Sequence, residues 1–205
     1  TCALPIYTYR IANSLLKGRL DFDGEPPQWL ERSIYEDRFY SPFPLGSVLT
    51  LVPLAALGDW GMVPDQAGWP SAAIVAAIAV ACALFAIAMS RGYGASMAQS
   101  LLLGAWLTLG TWSWPNLAFG GSWQVALGFA MVGELGALYF TLADRRPFWA
   151  GCFFALAFGN RSELVILAPL FLLLLLRPFG SLEAHDRAAR TRDAALFCLR
   201  SEEHT

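Results

Sequence analysis

The chain has 205 residues, 56% of them hydrophobic and only 15% charged, with a formal net charge of −2. Its mean hydropathy is +0.47. A typical soluble domain carries roughly 25% charged residues, so the composition points to a membrane protein. A nucleic-acid partner is not expected, because such a footprint needs a clustered basic face.

The two ends stand apart from the rest. RSEEHT, residues 200–205, can be encoded by a strand whose reverse complement reads Thr-Cys-Ala-Leu-Pro-Ile, residues 1–6. The leftover base also begins a tyrosine codon, which fits Tyr7. Both ends read as translated sequencing adaptor. Residues 1–6 and 200–205 are therefore expected to be artefact, and the remainder, from Tyr7 on, an internal stretch of a longer protein. Setting them aside removes Cys2 and His204. Cys82, Cys152, Cys198 and His185 remain, with no CxxC spacing and no clustered histidines. No metal site, disulfide framework or cofactor is expected from these residues.

Residues 7–20, YTYRIANSLLKGRL, place Ile11, Leu15, Leu16 and Leu20 on one helical face, with Arg10, Asn13 and Lys17 elsewhere. The stretch is too polar to span a bilayer. It predicts a helix lying in the interface plane, or an amphipathic helix packed on protein. Residues 21–44 carry most of the acidic residues outside the tail, with four prolines and a glycine. They predict a loop with short helical pieces.

Residues 45–58 are uncharged but short. At 1.5 Å per residue they reach about 21 Å, against a hydrocarbon core of roughly 30 Å. They form either a tilted span or a helix that only dips in. Residues 71–90 are the clearest span, and Gly92 to Gly133 contains no charge at all. Spans are expected near 95–113 and 121–143, separated by the turn TWSWPNLAFGGSW. Residues 148–160 and 164–176 flank Arg161, Ser162 and Glu163 as two short helices, the alternative being one long helix with those charges inside it. Residues 178–199 read as a polar connection.

The expected fold is all-α: a polytopic transmembrane helix bundle over 45–177, with residues 7–44 forming an extracytoplasmic acidic loop that carries short amphipathic helices. Basic residues set the orientation. Arg91 and Arg145/Arg146 are two spans apart and fall on one side, with Arg177, Arg187, Arg190 and Arg192. That side is read as cytoplasmic, which turns the tryptophan-rich turn and Asn160–Glu163 outward and puts 178–199 inside.

Two stretches, YRIANSLLKGRLDF and YEDRFYSPFPLGSVLTLVPLAALG, resemble the first extracytoplasmic loop and following helix of type-C membrane glycosyltransferases. These enzymes use polyprenyl-phosphate-linked sugars; protein O-mannosyltransferase-like and aminoarabinose transferase-like groups belong to them. The resemblance rests on Tyr9, Ala12, Leu15, Leu16 and Gly18, then on Tyr40 to Gly46. WSWPNLAFGGSWQ and FALAFGNRSELVILAPL add later turns. It implies an integral protein of the bacterial inner (plasma) membrane. Such an enzyme moves a sugar, with inversion, from a polyprenyl-phosphate donor among membrane lipids to an extracytoplasmic lipid, glycan or protein acceptor. The family's catalytic acid lies a few residues before the tyrosine of the amphipathic helix, which places it upstream of Tyr7. Here those positions are Leu4, Pro5 and Ile6, so the acid is absent and the chain is expected to be inactive as it stands.

The chemistry needs a carboxylate to deprotonate the acceptor hydroxyl and cationic or dipolar groups for the departing phosphate. Asp21 and Asp23, in the order D-x-D, are weak acid or cation candidates; the plain alternative is an acidic turn closed by Gly24. Asp37, beside Glu36, is a second weak acid. Tyr40, Ser41 and Pro42 are expected to shape the substrate site. Arg161, beside Asn160, is the expected phosphate partner, since a planar fork of donors meets phosphate oxygens; the alternative is a local pair with Glu163. Glu134 lies within a span, where an ionisable group marks a functional site by default. Trp112, Trp114, Trp123 and Gln124 are candidate sugar contacts, the tryptophans alternatively plain interface anchors. A transporter or permease and a membrane scaffold are the competing functions, although no internal repeat of the transporter kind is visible.

Overall fold

The computed structural model describes residues 5–22, 25, 32–42, 45–62, 69–111, 113–115 and 122–176. Asp23 and Trp112, and the stretches 1–4, 178–199 and 200–205, lie outside the described residues. The chain is mostly helical. In order come α1 (Pro5–Leu16), β1 (Ser33–Tyr35), β2 (Arg38–Tyr40), α2 (Leu45–Asp59), α3 (Trp69–Gly92), α4 (Met97–Leu109) and α5 (Ser122–Leu138). A π-helical turn, Tyr139–Ala143, leads to α6 (Pro147–Asn160), and a 3-10 turn, Ser162–Leu167, leads to α7 (Ala168–Leu176).

α1 differs from its expected bounds and face. It does not begin at Tyr7. It begins at Pro5, so that Pro5 and Ile6, expected to be artefact, form part of the first turn and Tyr7 is the third helical residue. Proline suits a first helical position, because its φ is already helical and the N–H it lacks would find no partner there. Ile11 and Ala12 are buried, but so are Thr8 and Ser14, whereas Leu16 and Leu20 are exposed. The reason is the other helix end. Gly18 sits at φ 71°, and its N–H bonds the Leu15 carbonyl while the Arg19 N–H bonds that of Ser14. This left-handed stop removes Leu20 from the helical period.

The 21–44 stretch is the larger departure. Among its described residues, 33–40 form not a helical piece but an antiparallel hairpin, pairing Ser33 with Tyr40, Ile34 with Phe39 and Tyr35 with Arg38. Glu36 and Asp37 both have positive φ, 49° and 58°, as a two-residue hairpin turn that follows the strand twist requires. Asp21 bridges Tyr40 on the other edge of β2, and the Phe22 N–H donates to the Phe39 carbonyl at 2.9 Å. Phe22 then packs with Ile11, Ala12, Val48, Leu51 and Ala55, so hairpin, α1 and α2 share one apolar cluster.

The rest is an up-and-down helical layer. α3 ends in a left-handed Gly94, and α4 opens with a reciprocal Ser96–Gln99 capping box, which together make the tight α3–α4 connection. α5 and α6 lie in close backbone contact, because a Cβ at Gly133 would overlap the Ala157 N–H and the Phe153 carbonyl, and one at Gly136 the Phe153 ring. Phe153 in turn meets the rings of Phe85 and Phe140, at 5.0 and 5.5 Å between centroids. The stretch 148–176 is two helices: Arg161 is extended, at φ −143° and ψ 93°, and breaks α6 from the 3-10 turn.

Two stretches, Ala73–Gly92 and Trp123–Leu142, are long and apolar enough to cross a membrane. The first is only 17% buried, with Val80 and Leu84 facing outward. Leu45–Asp59, Met97–Leu109 and Ser162–Leu176 are apolar but shorter.

Candidate functional site

The molecule has two dissimilar ends. A Cβ at Gly92 would lie 3.3 Å from that of Ala143, so α3 and the π-turn finish together and bring Arg91 near Arg145 and Arg146. At the opposite end, Gly46 at the start of α2 touches the Gly159 carbonyl, next to Asn160. Ile74, near the start of α3, and Phe129, in the third turn of α5, pack on the cluster formed by α1, α2 and the hairpin. The acidic 21–42 segment and Arg161 therefore belong to the same end.

That end holds a cleft of about 460 Å³, lined by Thr111, Ser113, Gln124, Leu127, Gly128, Ala130, Met131, Glu134, Arg161, Glu163 and Leu164. Three elements build it: the residues after α4, α5 from Gln124 to Glu134, and the break after α6. Its walls are mainly apolar, with a few polar groups, the usual make-up of a small-molecule site. Arg161 is one-third exposed and ion-paired to Glu163. The Glu163 carboxyl is held below its ordinary range, first by a backbone N–H bond and then by Arg161, with burial opposing. One carboxylate engages only part of a guanidinium that has five donors, so Arg161 retains capacity for a second anion.

Thr111 and Ser113 add a hydroxyl pair, 2.8 Å apart with either able to donate. Thr111 also donates to the Leu107 carbonyl at 2.6 Å, and the Ser113 N–H donates back to Thr111 at 3.2 Å. This pair had no sequence signal: it sits inside a tryptophan-rich turn whose aromatics dominate the pattern.

The expected site residues divide. Gln124, Glu134 and Arg161 meet in the cleft. Trp114 and Trp123 are exposed, 49% and 41%, and do not line it. Asn160 is fully buried; its Nδ2 donates to the Leu156 carbonyl at 2.9 Å, and its Oδ1 has no hydrogen-bond partner among the described residues. It belongs to the α2–α6 crossing and not to the cleft wall.

Asp21, Tyr40, Ser41 and Pro42 lie on the hairpin side and do not line the cleft either. Asp21 is buried, accepting from Arg19 Nε at 3.1 Å and Nη2 at 2.9 Å, with Arg38 at 3.9 Å. The Arg19 hydrogen bond is the main reason its carboxyl stays below the ordinary range; burial pulls the other way. Held between two guanidinium groups, it clasps the hairpin to the end of α1. Asp37 is an exposed turn residue. Tyr40 packs edge-on to Tyr35, 6.5 Å between ring centroids.

The position expected for the catalytic acid, upstream of Tyr7, holds no carboxylate. The first turn of α1 contains no acidic residue, and Thr1 to Leu4 before it carry none in the sequence. Tyr7 continues that helix. Among the described residues no cluster of three or more His, Cys, Asp or Glu side chains is placed to hold a metal.

No family model, no curated protein and no solved structure matches the chain. Geometry and chemistry alone carry the functional reading.

Proposed function

We propose that the chain belongs to a polytopic integral-membrane glycosyltransferase of the type-C kind, of the bacterial inner membrane, and that its cleft binds the head of a polyprenyl-phosphate-linked sugar. The observation that carries this reading is the cleft itself: Arg161 beside a long apolar wall, on the same end as the polar hairpin segment. An isoprenoid needs apolar helix surface, its phosphate needs a fork of donors, and its sugar needs polar groups such as Gln124 and the Thr111–Ser113 pair. The outward-facing leucines and valines of α3 and α4 suit a lipid environment, since a soluble monomer rarely exposes so much contiguous apolar surface. The basic residues Arg91, Arg145 and Arg146 at the other end suit a cytoplasmic side, which turns the cleft outward.

In this reading Arg161 takes the lipid phosphate, and Glu163 holds the guanidinium in place before the donor arrives. The extracytoplasmic acceptor approaches from the hairpin side. Asp21, fixed by Arg19 and Arg38, has no role as the base.

The test is binding. The chain is reconstituted in nanodiscs and titrated with a polyprenyl-phosphate sugar bearing a photoreactive group. Wild type is expected to be labelled on α5 and on residues 161–164. Arg161→Ala is expected to weaken binding about tenfold to hundredfold, the worth of a charge-assisted hydrogen bond or two, with unchanged unfolding temperature. Equal labelling of both proteins removes the assignment.

A further inference from the structure

We propose that the end of the molecule opposite the cleft is a docking site for the headgroup of an anionic membrane phospholipid, with Arg145 at its centre and Arg91 and Arg146 beside it. This rests on the reading that α3 and α5 cross a membrane; it does not need the transferase assignment. The starting observation is backbone conformation. Arg145 has φ 52°, a left-handed geometry that strains an ordinary L-residue and that glycine or asparagine would occupy with ease. A long cation kept at such a position, exposed, points to a role for its charge.

The surroundings agree. The turn is fixed on both sides: the Asp144 N–H bonds the Tyr139 carbonyl at 3.1 Å and the Arg146 N–H bonds that of Phe140 at 2.8 Å. Asp144 is already engaged by Arg146 Nε at 2.8 Å, and Arg91 Nη1 donates to the Ala95 carbonyl at 2.8 Å. The close approach of Gly92 and Ala143 holds the ends of both candidate spans together. The two turns there carry three arginines and one aspartate, leaving a net positive rim. Trp149 and Tyr93 stand exposed beside it, 47% and 67%. Aromatic side chains sit at headgroup depth, and basic residues just beyond a span attract anionic lipid. A lipid phosphate at that depth meets Arg145 from the membrane side, while the acyl chains run along the apolar outer face of α3.

The experiment measures lipid selectivity. The full chain is reconstituted into vesicles of equal parts phosphatidylglycerol and phosphatidylcholine, recovered by flotation, partially delipidated, and its retained lipids counted by native mass spectrometry. Wild type is expected to retain the anionic lipid about fivefold or more over the zwitterionic one, each arginine being worth about that factor. Arg145→Gly is expected to lose most of this preference while its unfolding temperature holds or rises, since glycine relieves the left-handed geometry. A purely structural arginine would do the reverse, losing stability with selectivity intact. Arg91→Gln combined with Arg145→Gly should abolish the preference, whereas Lys17→Gln, exposed at the opposite end, should leave it. Inorganic phosphate at millimolar concentration should not displace the lipid. Equal retention of the two lipids by wild type, unchanged selectivity in the double variant, or displacement by free phosphate overturns the inference. Failure of the protein to float with vesicles overturns instead the membrane reading beneath it.

Discussion

Asp21 shows how a single side chain changes meaning once its neighbours are known. In the sequence it is half of a D-x-D and a candidate for chemistry; in the fold it is a buried carboxylate caught between Arg19 and Arg38. Its carboxyl is held below the usual aspartate range, which fixes the sign of its contribution. A carboxyl with a depressed folded pKa stabilises the fold above its ordinary pKa near 4 and loses that stabilisation as the pH falls further. The hairpin is therefore expected to loosen below about pH 4, and Asp21→Asn should give the same loosening at neutral pH. Limited proteolysis at Arg32 and Arg38 across pH 3–7 measures this; cleavage independent of pH and of the substitution contradicts it. Arg161 contrasts with it: it is extended, partly exposed and lines the cleft.

At the scale of elements, the helices are joined by backbone close approach as much as by apolar area. Gly133 lets α6 lie against α5 with no room for a side chain. Gly133→Leu is expected to cost about 1–3 kcal/mol by overpacking, or to separate the two helices. Either outcome lowers the unfolding temperature in detergent, and an unchanged midpoint contradicts the packing.

The apolar runs are legible in the sequence because composition and length alone identify them. The hairpin is not, for physical reasons. Strands of three residues have no period to read, and Glu36-Asp37 is a poor advertisement for a turn that ordinarily prefers Asn-Gly. The start of α1 escapes for another reason: the helix runs across the boundary drawn at Tyr7, because a backbone responds to Pro5 and not to where a residue came from. Around Arg161 the local pattern fits one helix or two alike, and only the extended backbone there decides it. Gln124, Glu134 and Arg161 can be found from residue type. Thr111 and Ser113 cannot, because only the fold brings the end of α4 against α5. Asn160 misleads for a related reason: an amide beside a candidate phosphate ligand resembles a site residue, whereas here it fills the crossing where Gly46 meets Gly159.

At the scale of the whole molecule, polarity is distributed by end. The hairpin, the Asp21 clasp and the cleft occupy one end; the arginine-rich turns occupy the other. α2 meets the helical layer at Ile74, Phe129 and Gly159. Both the transferase reading and the lipid site require these two ends to lie on opposite faces of a bilayer. The most direct measurement is a topology map in intact cells, with a compartment-sensitive reporter inserted at Glu25 and, separately, at Gly94. An extracytoplasmic signal at Glu25 and a cytoplasmic one at Gly94 are expected; a cytoplasmic signal at Glu25, or both reporters on one side, contradicts that arrangement.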